Sequence, residues 1–418
     1  MSEGIRALQL SAEETAMLEG EAGPGVAKAM EIVVALGRIY GAGTLIPIAS
    51  VQVAGVSYKN LGAAGLAFLE AWAAQGARVQ VPTTLNPAGM DLASWRELGF
   101  SEAFAQRQQA VIEVYTILGI TPTCTCTPYL VGHAPVFGQH IAWAESSAVS
   151  YANSVIGART NREGGPSALA AAITGRVACY GLHLDENRQA TVVIEVRSPI
   201  RSESDLGALG YLVGQLVENR VPYLRFHDRR PEDWELKMLG AAMAASGAVA
   251  LYHIEGITPE AKAGNVVQAG AETLVIDNLS PGFEALDGGC EQIDLVSLGC
   301  PHASLSELRC AADRLDGRYL KAALWITTAR STREAAELEG LVARIEAVGG
   351  RVVADTCMVV APVAELGFRS LATNSAKMAF YAPAHSGLKV RFGSLEQCLD
   401  AAVTGTWSSL RAIGRGQP

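Results

Sequence analysis

Three cysteines stand where an α/β chain carries chemistry. Cys300, in LGCPH (298–302), and Cys357, in DTCMVV (355–360), each end a predicted parallel strand. Ligands bind outside that edge of open sheets. Cys126 lies in TPTCTCTPYL (121–130), between a predicted helix and a polar loop, with Cys124 two residues before it. Three thiolates drawn from distant loops into one cleft suit an iron–sulfur cluster that keeps one iron free of protein ligands, and such an iron acts as a Lewis acid toward a hydroxyl and a carboxylate. Cysteine is equally a small buried hydrophobe, and Cys179, Cys290, Cys310 and Cys398 read that way. No C-x-x-C pair occurs, so spacing alone specifies no metal.

Polar clusters accompany the thiols and point to a site for a small anion. RTNREGG (159–165) sets Arg159 and Arg162 beside two glycines, and a guanidinium fork matches a carboxylate. SYKN (57–60) offers a hydroxyl, a phenol and an ammonium in Ser57, Tyr58 and Lys59, while TTLNPAGMD (83–91) contributes Asn86 in a polar turn. WAESSA (143–148) puts Glu145 beside Ser146 and Ser147 at a predicted helix start. Each alone also reads as a cap, a turn or a solvated loop; their density within the first half is what marks a site. His183, His302 and His385 read either as structural histidines or as proton carriers and phosphate binders. The chain has no dinucleotide fingerprint, P-loop or nucleophile elbow.

The elements that must position these residues fall into two regimes. Up to about residue 190, helical patterns (Ser11–Leu18, Ala63–Ala74, Ser101–Ile112) alternate with long loops rich in Gly, Pro, Asn and Thr. From residue 191 onward strands alternate with helices: TVVIEVR (191–197), PYLRF (222–226), VALYHIEG (249–256), ETLVIDN (272–278), QIDLVSLGC (292–300), LKAALWITT (320–328) and RVVADTC (351–357). Ser304 with Glu307, and Ser331 with Glu334, have capping-box spacing. This alternation predicts an α/β fold with parallel βαβ layers in the C-terminal half. The domains predicted are 1–190, carrying most site loops, 191–288, and 289–418 with a C-terminal return segment.

Composition narrows the function. The 418 residues carry 33 basic and 42 acidic side chains, a net charge of −9, with 49% hydrophobic and 6% aromatic residues. That balance argues against nucleic acid and anionic membrane as partners. No apolar run reaches the ~20 residues of a membrane span, and the charged N-terminal stretch lacks a signal-peptide pattern. The reading is a cytoplasmic protein with reduced thiols.

GVSYKNLGAAGLAFLE (55–70), VPTTLNPAGMD (81–91), CTPYL (126–130), AWAESSAVSYANSVIGARTNREGGPSALAAAITG (142–175), GLHLDENR (181–188), LGCPH, DTCMVV and NSAKMAFYAP (374–383) together resemble the aconitase X family of the aconitase superfamily, in its catalytic large subunit. The resemblance runs from about residue 40 to about residue 400. It implies an aconitase-like fold of three α/β domains around a central cleft, and an iron–sulfur cluster, of undefined nuclearity, on Cys126, Cys300 and Cys357. It further implies a hydro-lyase that dehydrates a small hydroxy acid, with Ser57, Tyr58, Lys59, Glu145 and Ser147 as catalytic candidates and Asn86, Arg159, Arg162 and Lys377 as substrate-binding ones. Bacterial members of the family act on cis-3-hydroxy-L-proline, forming pyrroline-2-carboxylate; archaeal members act on mevalonate 5-phosphate. An Ala/Gly-rich composition poor in Lys, with no basic cluster beyond Arg159 and Arg162, favours hydroxyproline. The chain ends in GRGQP, without the serine of the Gly-Arg-Gly-Ser loop borne by the family's swivelling domain. The expectation is a heterodimer in which a small swivel-domain subunit supplies the catalytic serine. A non-catalytic iron–sulfur protein is the alternative of another class, and a zinc hydrolase ranks behind it.

Overall fold

The computed structural model describes residues 8–408, so GRGQP (414–418) lies outside the described part. Its first region is built around a three-stranded parallel sheet. Strand β1 (Val51–Val53) lies between β2 (Thr83–Leu85) and β3 (Ala142–Trp143). These strands are short, and long loops leave them at one edge. A second region holds four parallel strands in the order β6 (His253–Ile254), β5 (Pro222–Phe226), β4 (Ala190–Val196) and β7 (Val267–Ile276). A third holds five, in the order β10 (Gly350–Ala354), β9 (Ala323–Thr328), β8 (Leu295–Ala303), β11 (Ser370–Thr373) and β12 (Lys389–Phe392), again all parallel. The architecture is mixed α/β with parallel sheets in the C-terminal half, as expected of an aconitase-like fold. Among the described residues no helix is long and apolar enough to cross a membrane.

Local chemistry explains most of the helix boundaries. Ser11 with Glu14, Ser202 with Asp205 and Ser304 with Glu307 form complete capping boxes, satisfying amide groups that have no carbonyl partner in a first turn. Ser101 caps Glu102–Ile117 through the Phe104 amide. The helix Tyr58–Ala74 breaks at Gly62, whose φ of 63° lies in the left-handed region.

Two expectations give way. Ser331 and Glu334 do not cap: the helix Arg330–Leu338 starts two residues earlier than that spacing implies, with Ala329 at its N-cap and no side-chain cap. Only His253 and Ile254 of the segment 249–256 join a sheet. The Tyr252 amide donates to Ser154 Oγ at 2.9 Å and its phenol donates to the Leu236 carbonyl at 3.1 Å, so side chains and loops claim what a longer ladder would have used.

The strand bearing Cys300 runs on to Ala303, with a register shift between Leu298 and Ala303. Gly299 explains the departure. Its φ is +84°, and a Cβ there would stand 2.1 Å from the Thr327 carbonyl oxygen, so only glycine allows the two backbones to approach this closely. The chain leaves the ladder at the residue that turns a thiol toward the cleft.

Candidate active site

Cys126, Cys300 and Cys357 are all buried and line one cavity of about 200 Å³ together with Asn86, Glu145, Arg162 and Lys377. The three loops carrying the thiols are tied by one imidazole. His302 is fully buried. Its Nε2 lies 2.8 Å from the Thr356 carbonyl, which can only accept, so Nε2 carries the proton and Nδ1 accepts from the Thr125 hydroxyl at 2.9 Å. Burial lowers its pKa to about 4, consistent with a neutral ring. The His302 amide donates to Cys126 Sγ at 3.2 Å. It thus joins the Cys126 and Cys357 loops to its own, which carries Cys300, and is a tie between loops rather than a proton carrier.

Each thiol has further support. Gln52 Nε2 donates to the Thr125 carbonyl at 3.0 Å, holding the turn before Cys126 against the first sheet. Cys357 follows Asp355, whose φ of 63° is unusual outside glycine and is held by charge. Arg330 pairs with Asp355 and, at 2.6 Å, with Asp91, while Asp91 also accepts from the Ala354 amide at 2.9 Å. This clamp joins the loop that carries Asn86 to the loop that carries Cys357.

The three thiols ionise unevenly, one below and two above the ordinary thiol range. Cys300 and Cys357 hydrogen-bond one another, which brings the first ionisation down to about 7 at Cys300, with Lys377 and the Ser375 hydroxyl assisting against burial, and pushes the Cys357 thiol up. Burial and the nearby Glu145 raise Cys126 to about 12. Glu145 is the N-cap of the short helix Ser146–Tyr151, accepting from the Ala148 amide at 2.7 Å and from Ser147 Oγ at 2.6 Å, and it pairs with Lys377. Burial opposes both charges of this pair, yet each holds the other ionised: Glu145 lies below the usual carboxylate range and Lys377 above the usual ammonium range. Among the described residues no group of three His, Cys, Asp or Glu is arranged to hold a single metal ion. The thiols border a cavity instead, and no fourth cysteine lines it. That donor set suits a multi-atom iron–sulfur group bound through three thiolates.

The other candidates divide by placement. Asn86 borders the cavity with its Oδ1 buried and unpartnered. Ser147 sits behind Glu145, and its neighbour Ser146 reaches the cavity in its place. Ser57, Tyr58 and Lys59 do not line it. Ser57 Oγ donates to the Val360 carbonyl at 2.8 Å, the Tyr58 amide to Gln108 Oε1 at 3.0 Å, and Lys59 Nζ to the Ala361 carbonyl at 3.1 Å. Ser57 and Lys59 buttress the turn after Cys357, whose carbonyls take up their polar groups, while the Tyr58 backbone is held by Gln108. Arg159 also lies elsewhere. It pairs with Asp185, donates to the His183 carbonyl at 3.1 Å, and faces a separate cavity of about 290 Å³ with Arg188 and Glu260. Tyr381, which the motif reading passed over, reaches the cavity one helical turn beyond Lys377. A larger cavity of about 510 Å³ lies between the second and third regions, near Trp234 and Arg314, but none of the three convergent thiols borders it.

Comparison with known proteins gives the family. Models of the first, second and third domains of aconitase X match residues 7–186, 190–280 and 293–404. The chain is 51% identical over 387 residues to a phosphomevalonate dehydratase large subunit of Methanothermobacter thermautotrophicus, covering 92% of this chain and 96% of that one. It is 40% identical over 416 residues to a cis-3-hydroxy-L-proline dehydratase of Pseudomonas aeruginosa, covering 95% of this chain and 70% of the relative. The holo-form crystal structure of Thermococcus kodakaraensis aconitase X superposes with a TM-score of 0.88 at 46% identity, over 94% of this chain and 100% of that one. The chain belongs to the aconitase X family and is a hydro-lyase of the aconitase superfamily.

Proposed function

We propose that this chain is the large subunit of an enzyme that dehydrates mevalonate 5-phosphate. The observation that carries the reading is the similarity ranking: 51% identity to a relative named for phosphomevalonate against 40% to one named for cis-3-hydroxy-L-proline. The compositional preference for hydroxyproline therefore yields to the phosphorylated acid. Cys126, Cys300 and Cys357 would hold an iron–sulfur cluster, which supplies a Lewis-acidic iron able to bind the substrate carboxylate and ease departure of the hydroxyl.

The chain's own residues have narrower tasks. Lys377, kept charged by Glu145, places a fixed positive charge beside the thiolates. Asn86 borders the cavity with a buried Oδ1 that has no partner among the described residues, so this acceptor is uncommitted. Elimination also needs a base to take the proton next to the carboxylate. Glu145 is a poor choice, since Lys377, Ser147 and the Ala148 amide saturate its oxygens. That gap supports a proton acceptor supplied by a small subunit, the partner implied by the name of the large-subunit relative.

The test is reconstitution without oxygen of the chain with its small subunit. Turnover of mevalonate 5-phosphate with kcat/KM well above that for cis-3-hydroxy-L-proline is expected, with none from the isolated chain. The reverse preference would sink the substrate assignment, and full turnover by the isolated chain would sink the division of labour. Iron and sulfide retained by a Cys300→Ala variant would remove the cluster from these thiols.

A further inference from the structure

We infer that Arg162 is the specificity-determining residue that grips the substrate phosphate. The inference rests on the phosphomevalonate reading and deepens it. Such a substrate is anionic at both ends, and the cavity must receive a carboxylate at one end and a phosphate on a flexible arm at the other. The thiol end is buried and contains Lys377, whose charge is already matched by Glu145. Arg162 is the other cation that lines the cavity; it is exposed, and no described residue pairs with it.

The backbone beneath Arg162 is fixed while its guanidinium is free. The Thr160 amide donates to Asn153 Oδ1 at 3.0 Å, and Thr160 Oγ1 accepts from the Trp143 amide at 3.1 Å. On the other side the Glu163 amide donates to the Trp143 carbonyl at 3.0 Å, and the buried Glu163 carboxylate accepts from Ser167 Oγ at 2.6 Å. Gly165 lies so close to the first sheet that a Cβ would stand 2.9 Å from the Ala54 carbonyl oxygen. The fixed backbone removes the cost of ordering the loop and leaves only the rotamer entropy of the side chain, and the planar fork of the uncommitted guanidinium matches two phosphate oxygens. Arg159, the other basic residue of this segment, is turned away and committed to Asp185. Of the cations lining the cavity, Arg162 is therefore the one left for the phosphate.

The experiment compares mevalonate 5-phosphate with unphosphorylated mevalonate, using wild-type, Arg162→Gln and Arg162→Lys chains reconstituted with the small subunit. Losing a charge-assisted contact corresponds to a fall of about 10- to 100-fold in kcat/KM. For Arg162→Gln that fall is expected on the phosphorylated substrate, mostly through KM, so the preference for phosphate collapses by the same factor. Arg162→Lys should fall between, keeping the charge without the fork. Equal losses on both substrates would assign Arg162 to the shared carboxylate end, and no loss would remove it from binding; either overturns the proposal. Wild-type enzyme that ignores mevalonate 5-phosphate and dehydrates cis-3-hydroxy-L-proline would instead overturn the substrate reading and this inference together.

Discussion

Replacing His302 should loosen all three cysteine loops at once. His302→Ala deletes a fully buried ring, leaves the Thr356 carbonyl without its donor and removes the acceptor of the Thr125 hydroxyl. Each orphaned buried group costs about 1–3 kcal/mol, and the cavity left by a ring adds a term of the size seen in large-to-small core changes, about 2–5 kcal/mol. Because the loops relax, these terms overlap, and about 3–6 kcal/mol is expected. That is a large fraction of the ~5–15 kcal/mol that holds a typical domain folded. A chain of several domains need not unfold in one step, so the informative assay is hydrogen exchange. Amides of 124–127 and 355–358 should lose protection together, with a drop in melting temperature. His302→Gln, which retains a donor and an acceptor, should recover part of both. Unchanged protection in both loops of His302→Ala, or loss in only one of them, would refute the idea that one imidazole couples them.

Arg330→Gln should destabilise by about 3–5 kcal/mol, the usual consequence of stranding buried charge, because Asp91 and Asp355 lose their shared cation; a melting temperature within a degree or two of wild type would contradict this. Gly299→Ala should fold poorly, given the 2.1 Å approach of its Cβ to the Thr327 carbonyl and the φ of +84°; normal yield and melting would show that the strand can shift. His183 is buried against His140, Arg159 and Arg188, and burial first, then these neighbours, lowers its pKa to about 3. The unfolded chain therefore binds this proton at higher pH than the folded one, and stability is lost as pH falls from about 6.5 toward 3, by up to ~1.4 kcal/mol per pH unit. His183→Gln should flatten that slope, and an unchanged slope would assign the acid sensitivity to other groups.

Short-range chemistry was the legible part. Cap residues such as Ser11, Ser101 and Ser304 announce their helices, because the amides they satisfy lie within three residues. The strand–helix alternation after residue 190 is equally readable, since a buried parallel strand leaves a continuous apolar run. Where the reading failed, a distant partner had outbid a local one. Ser331 does not cap because the helix starts at Arg330, whose guanidinium reaches Asp91 and Asp355; Ser57 and Lys59 look like site residues but spend their polar groups on the turn after Cys357.

Residue type and order alone set the donor chemistry: three thiols on three loops, a Glu145 helix cap and a run of arginine, asparagine and glutamate. They also carried the family resemblance that the domain models later matched. Which arginine faces the cavity was beyond the sequence. Arg159 and Arg162 are three residues apart on one irregular loop, where no helical or strand period links spacing to direction, and only the packing of Asp185 and His183 against Arg159 turns it away. The convergence of Cys126, Cys300 and Cys357 is likewise a tertiary fact. It depends on His302 reaching Thr125 and Thr356 at once, across separations of 177 and 54 residues that no local rule spans.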